Sequence, residues 1–275
     1  MTRDQRYKAF QALHARPGAF VIPNPWNAGS AKILAAIGFE ALATTSAGYA
    51  FSIGYQDSAP EVTREHALEN AREIAGATTL PVSADLQNGF GHSPDLCSET
   101  IRLAAATGLV GASIEDATGD TSNPIYELQA AKDRIVAASE AAHRHQIVLT
   151  ARAENFLHGR PDLDDTIRRL QSFEEAGADV LYAPGLPTLD AIRTVCASLS
   201  KPVNVLAGLK GATFSVEDLA AAGVKRISVG GAFARAAFGG FLRAAREVKD
   251  HGTFNFATEA VPSSEMANYM AHPKR

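Results

Sequence analysis

The 275-residue sequence predicts an α/β protein of the (β/α)8 TIM-barrel class, a barrel domain over 1–252 followed by a C-terminal helical tail over 253–275. Three observations carry that expectation. Eight short β-rich runs alternate with helical patterns at intervals of about 20–40 residues, the size of a βα unit. The runs are near-continuously apolar, as strands of a parallel sheet covered on both faces must be. A helix-Gly-strand phrase recurs as AAIGFEALATTS, AATGLVGASIED, EEAGADVLYAPG and AAAGVKRISVGG, which argues for one repeated architecture over two unrelated domains.

In chain order the expected strands are 19–24, 41–46, 81–86, 111–116, 147–153, 180–185, 202–207 and 226–231. The expected helices are 30–37, 61–75, 94–107, 126–145, 162–176, 188–199, 215–222 and 232–250. Ser93-Pro94 supplies a cap and a first-turn proline, and Gly38, Gly76, Gly108, Gly177 and Gly223 stand where helices should stop. A doubly wound open sheet is the competing fold, but NPWNAGS follows the first strand where a dinucleotide fold would carry GxGxxG. In the tail, Phe254, Phe256, Met266, Tyr269 and Met270 are apolar enough to need cover, from this subunit or another.

Composition narrows the function classes. Hydrophobic residues make up 46% and charged residues 20%, and the formal net charge is −4 with no run of Lys or Arg, so neither nucleic acid nor an anionic membrane is an expected partner. The N-terminus reads as neither signal peptide nor membrane span, giving a cytoplasmic expectation. Two cysteines, Cys97 and Cys196, lack metal-type spacing and read as core thiols.

In a parallel barrel the reactive groups project from the C-terminal strand ends. Those ends carry Thr44, Thr45 and Ser46 on the second strand, Asp85 on the third, Glu115 and Asp116 on the fourth, and Arg152 with Glu154 on the fifth; Asp57 lies in the loop after the second. Carboxylates gathered in a partly buried mouth take up protons unless a cation compensates them. Oxygen-only donors favour Mg²⁺ or Mn²⁺, and Arg152 offers a planar fork for a carboxylate. Each residue also has a structural reading: Asp85 as a loop cap, Asp116 as a structural acid, Arg152 paired with Glu154 or Glu115, Trp26 as core, Asn27 as a helix cap and His92 as a loop residue. The glycine-rich SVGGAFARAAFGG after the eighth strand is a weaker candidate for phosphate.

The motifs PNPWNAGSAKILAAIGFEALATTSAG, GYQD, SADLQNGFG, GASIEDATGDTSNP, ARAENFL and EEAGADVLYAPGL resemble the isocitrate lyase and phosphoenolpyruvate mutase superfamily over nearly the whole chain. That resemblance implies a TIM barrel, commonly a homotetramer exchanging its last helix, with Mg²⁺ at the strand ends. By position, Asp85 matches the metal aspartate, Asp57 and Glu115 the carboxylates that act on the metal or through its waters, and Arg152 the carboxylate-binding arginine. Thr45, Ser46 and Ala47 match the loop that receives a 2-oxo acid, and Trp26 and Asn123 join the expected substrate-binding set. Gln87 stands where many members carry a further acid, so it enters the metal set as a neutral replacement. The stretch DATGDTSNPIY lacks the Cys, Lys and His of the isocitrate lyase loop and the Lys of the phosphonate mutases. The expected activity is therefore a Mg²⁺-dependent carbon–carbon lyase or decarboxylase on a small 2-oxo or 2-hydroxy dicarboxylate. The alternatives are phosphonopyruvate hydrolase or mutase-type P–C chemistry, with Ser122 or Asn123 nearest to hand, and a weakly active 2-oxo acid binding protein.

Overall fold

The computed structural model describes residues 1–57, 59–209, 211 and 214–271, so residues 272–275 of the expected tail lie outside the described residues. Eight parallel strands run β1 (Phe20–Ile22), β2 (Leu42–Ala43), β3 (Val82–Asp85), β4 (Gly111–Glu115), β5 (Val148–Arg152), β6 (Val180–Tyr182), β7 (Val203–Leu206) and β8 (Arg226–Ser228). They pair in the order β1-β8-β7-β6-β5-β4-β3-β2. Between β1 and β2 the ring is drawn together by the Ala43 N–H donating to the Pro23 carbonyl at 3.0 Å and by Asn24 Nδ2 donating to the Thr44 carbonyl at 2.9 Å. This is the nearly closed (β/α)8 barrel that the alternation predicts.

The helices are α1 (Arg3–Ala15), α2 (Ala28–Ile37), α3 (Ser46–Ser52), α4 (Arg64–Gly76), α5 (Pro94–Ala105), α6 (Leu128–Arg144), α7 (Leu163–Glu175), α8 (Leu189–Ala197), α9 (Val216–Ala221), α10 (Ala232–His251) and α11 (Ser263–Met270). Their starts follow local chemistry. Asn27 and Ser30 form a reciprocal capping box for α2, and Ser93 accepts the Leu96 N–H ahead of Pro94 in α5. Gly38 ends α2 at φ 104°, a backbone state that favours glycine. Gly76 differs from expectation: it is the last residue of α4 and Ala77 is the cap.

Two helices were not expected. Thr2 and Gln5 box the start of α1, which lays Phe10 and Leu13 against Phe20, Ile22, Ala41, Val110, Val148 and Val180, closing the N-terminal end of the barrel with an apolar plug. The second strand, expected to reach Ser46, stops at Ala43 because Thr45 turns the chain into α3 by accepting the Gly48 N–H at 3.2 Å. Gly48 permits this close approach, since a Cβ there would lie 2.6 Å from Thr45 Cγ2 and 3.2 Å from Trp26 Cβ.

The main core fills the space between strands and helices with Ile74, Leu86, Ile101, Ile114, Leu149, Phe173 and Leu181, all buried. Cys97 joins it, whereas Cys196 is half-buried. In the tail, α11 packs on α2, with Lys32 Nζ donating to the Met270 carbonyl at 3.0 Å, but Phe254 remains 66% exposed and Phe256 37%. No described helix is long and apolar enough to cross a membrane.

Candidate active site

Parallel register brings the polar strand ends to one mouth. Glu115 is the register partner of Arg152, and Arg152 of Tyr182, so the last residues of β4, β5 and β6 stand side by side. Arg152 is the hub. Its Nη1 lies 3.1 Å from Asp85 Oδ1, its Nη2 3.2 Å from Glu115 Oε2 and its Nε 2.9 Å from Glu154 Oε1. The guanidinium also stands 5.1 Å from the centre of the Tyr182 ring. Burial opposes the charge on Arg152, but Glu154, Glu115 and Asp85 together hold its pKa well above the usual arginine value. Burial pushes Glu115 well above the usual carboxylate range; Arg152 offsets part of this, and the neighbouring acids add to it.

Asp85 is held from several sides. Its Oδ1 accepts the Gln87 N–H at 3.2 Å and its Oδ2 the Ser46 N–H at 3.3 Å, while its own N–H donates to Thr44 Oγ1 at 3.0 Å. Ser46 Oγ donates to Asp57 Oδ1 at 3.3 Å, so one serine links both acids. Thr45, Ser46, Ala47, Asp57, Asp85 and Arg152 line one cavity of about 250 Å³. Gln87 and Glu115 line a neighbouring cavity of about 820 Å³ between the starts of α4 and α5 and the loop after β4. Gln87 adopts φ 48°, a left-handed turn that lets its carbonyl accept the Glu115 N–H at 2.9 Å.

The structure does not bring Trp26 or Asn123 to the smaller cavity. Trp26 is half-buried beside Gly48, and its carbonyl accepts Asn70 Nδ2 at 2.9 Å. Asn123 is exposed in the loop after β4, where its N–H donates to the Asp120 carbonyl at 3.2 Å. Asp116 is a structural acid: its Oδ1 accepts the Glu154 N–H at 2.8 Å and its Oδ2 lies 3.1 Å from Arg169 Nη1. Burial pushes its pKa up to about 6. His92 Nδ1 meets the Tyr126 hydroxyl at 2.6 Å, outside both cavities. The glycine turn after β8 is internally satisfied, since Asn24 Oδ1 accepts the Val229 and Gly230 N–H groups at 2.9 Å each.

Sequence reasoning passed over Asn24, Tyr182, Asn204, Arg226, Ser228 and Arg235, all of which line the smaller cavity. A signal was present: Asn204 and Arg226 interrupt the apolar runs PVNVLA and RISVGG at positions that a barrel strand turns inward.

The donor set can be tested against a divalent ion. Among the described residues, Asp85, Glu115 and Glu154 all meet the one guanidinium of Arg152, so acids outnumber the cation at this point of the mouth. No three His, Cys, Asp or Glu side chains among the described residues form a closed metal cage. Oxygen donors from one or two carboxylates, with room for water and a chelating ligand, suit Mg²⁺ or Mn²⁺, and Asp85 with Asp57 at the cavity wall provide them.

The acids gathered around Arg152 stand at the C-terminal strand ends, the face where barrel enzymes carry their active sites. The family model for phosphoenolpyruvate phosphomutase matches residues 10–249, and the chain belongs to that family, within the isocitrate lyase and phosphoenolpyruvate mutase superfamily. It is 28% identical to the 2-methylisocitrate lyase of Escherichia coli K12, over 79% of this chain and 75% of that one. It is 26% identical to an oxaloacetate decarboxylase of Pseudomonas entomophila L48, again over 79% and 75%. A structure from Burkholderia cenocepacia J2315, provisionally described as a lyase/mutase, is 55% identical with a TM-score of 0.95, covering 98% of this chain and 97% of the other. Phosphonopyruvate hydrolase in complex with oxalate and Mg²⁺ shares the fold at 24% identity, with a TM-score of 0.86 and coverage of 98% and 95%.

Proposed function

We propose that the protein is a Mg²⁺- or Mn²⁺-dependent lyase or decarboxylase that breaks a carbon–carbon bond in a short 2-oxo or 2-hydroxy dicarboxylate. The observation that carries this reading is the gathering of acids at the mouth, where Asp85, Glu115 and Glu154 meet the guanidinium of Arg152 and Ser46 links Asp85 to Asp57. Asp85 and Asp57 would hold the ion, with Glu115 and the neutral Gln87 acting through its waters. When bound, the ion supplies Lewis-acid stabilisation to an enolate oxygen.

The chain's own residues do the rest. The N–H of Ser46 fixes Asp85, and the Ser46 hydroxyl orients Asp57. Arg152 presents its charge to a substrate carboxylate as its hold on Asp85 and Glu115 loosens. The loop after β4 carries Thr118, Gly119, Asp120, Thr121, Ser122 and Asn123, with no cysteine, lysine or histidine. Decarboxylation suits this loop, because departing CO₂ needs no proton and water can protonate the enolate afterwards. The named activities of the lyase and decarboxylase relatives support the same substrate class.

The test is a screen of oxaloacetate, dimethylmalate, methylisocitrate and phosphonopyruvate with Mg²⁺, following pyruvate release. Pyruvate from one of the carbon acids, with turnover cut at least about 10³-fold by chelator or by Asp85→Ala, is the expected result. Release from phosphonopyruvate alone would move the assignment to P–C chemistry, and turnover in chelator would reject the metal.

We also propose a homotetramer in which the α10–α11 region meets a neighbouring subunit. Phe241 at 67% exposure, Leu242 at 45% and Phe254 at 66% form an apolar surface that a lone chain leaves in water. Removing residues 253–275 should shift the sedimentation coefficient to a smaller assembly; an unchanged tetramer would refute this arrangement.

A further inference from the structure

The smaller cavity is electrically two-sided. Asp57, Asp85 and Arg152, which carries its own acids, stand on the side built by β2 to β5, whereas Arg226 of β8 stands on the other, with Arg235 of α10 beyond it. Arg226 is only 5% exposed. Its Nε donates to Asn204 Oδ1 at 2.8 Å and its Nη2 to Thr150 Oγ1 at 2.8 Å. Both partners are neutral, and both hold the guanidinium in one orientation across the barrel. Nη1 has no hydrogen-bond partner. Among the described residues no carboxylate pairs with Arg226; its charged neighbour is Arg152, which repels it.

A guanidinium taken out of water without an anion is costly, and proteins rarely keep one unless something supplies the opposite charge. Burial above all, opposed by Tyr182 and aided by Arg152, pulls the Arg226 pKa down to about 10, so the group is still cationic at neutral pH. The opposite charge must therefore come from what enters the cavity. Thr150 lies two residues before Arg152 on β5, so Arg226 reaches one pleat deeper than the acidic rim. A ligand that reaches both must carry a metal-chelating head and a second acidic group a few bonds away.

We propose that Arg226 receives the second, distal acidic group of the substrate and so selects diacids over monoacids of the same length. This rests on the function proposed above, and it adds the residue that reads the far end of the molecule. Asn204 and Thr150 act as positioning residues that keep Nη1 free, and Ser228 Oγ, which accepts Asn204 Nδ2 at 3.0 Å, fixes Asn204 in turn.

The test is calorimetric binding in Mg²⁺ of L-malate and of 2-hydroxybutyrate, which share the 2-hydroxy acid head and differ at the far end by a carboxylate against a methyl group. The full-length protein should bind malate about tenfold or more tightly than 2-hydroxybutyrate, the size of one charge-assisted hydrogen bond. Arg226→Met should lower malate affinity by that factor and leave 2-hydroxybutyrate unchanged. Arg226→Lys, which keeps the charge and loses the fork, should retain part of the preference and serves if the methionine variant does not fold. Equal binding of the two acids by the wild type, or a preference that survives Arg226→Met, would overturn the proposal. In that event, 2-hydroxybutyrate binding that needs Mg²⁺ and Asp85 would leave the general function standing. If neither acid binds the wild type, both proposals fall.

Discussion

Two arginines share one cavity and live in opposite surroundings. Arg152 has all three of its nitrogens on carboxylates, whereas among the described residues Arg226 hydrogen-bonds an amide and a hydroxyl and pairs with no carboxylate. The first is charge-balanced before any ligand arrives, and its removal would strand the three acids it touches. The second is held in place by neutral groups that satisfy its geometry but not its charge. The difference teaches that charge balance separates an arginine already compensated by the protein from one that is not, and that the inventory of partners, more than burial, tells them apart.

Stability measurements can break that comparison. Arg152→Met should cost about 3–5 kcal/mol in chemical denaturation, since it leaves buried carboxylates unpaired. Arg226→Met removes a buried cation that lacks an anionic partner, so relief of that charge offsets the loss of its hydrogen bonds to Asn204 and Thr150 and stability should change by no more than about 1 kcal/mol. Equal losses for the two variants would mean that Arg226 is as structural as Arg152.

A smaller effect sharpens it from the plug at the opposite end. His14 of α1 is buried between Phe10 and Phe20, its Nδ1 is 2.8 Å from the Phe10 carbonyl and its Nε2 has no partner. Burial first, then the charge of Arg226, lower its pKa from 6.5 to about 3. The folded state thus binds this proton more weakly than the unfolded chain. The His14 contribution is fully present above the unfolded pKa and is lost as pH falls from about 6.5 towards about 3. Wild type should therefore lose about 2 kcal/mol between pH 8 and pH 5 relative to His14→Phe. Arg226→Met should leave this loss unchanged down to pH 5 and shrink it only as pH falls further towards about 3, because one of the charges opposing protonation of the folded state is gone. Parallel pH profiles for wild type and His14→Phe would show that His14 binds its proton equally in the folded and unfolded states and would remove this link.

The sequence made the barrel legible because its parallel strands are buried on both faces and punctuated by caps and glycines at regular intervals. It also pointed to Asp85, Glu115 and Arg152 through their places at strand ends, and the pairing of Arg152 with Glu154 and Glu115 was readable as an alternative to a free fork. What it did not show follows from physics beyond local pattern. The charges scattered through MTRDQRYKAFQALH mask a helix whose apolar face is defined only by the barrel end it closes. The turn into α3 depends on Thr45 meeting Gly48, a contact that a β-rich run of alanines and threonines hides. Arg226 and Asn204 were hidden because strand register, set by pairing across the sheet, decides whether a polar residue in a strand faces the cavity.

The most direct test of the central claim is Mn²⁺ binding followed by electron paramagnetic resonance on the full-length protein without substrate. The acids gathered at the mouth predict one Mn²⁺ per chain, displaced competitively by Mg²⁺, lost in Asp85→Ala and retained in Arg226→Met. Failure of the wild type to bind the ion, or unchanged binding after Asp85→Ala, would contradict it.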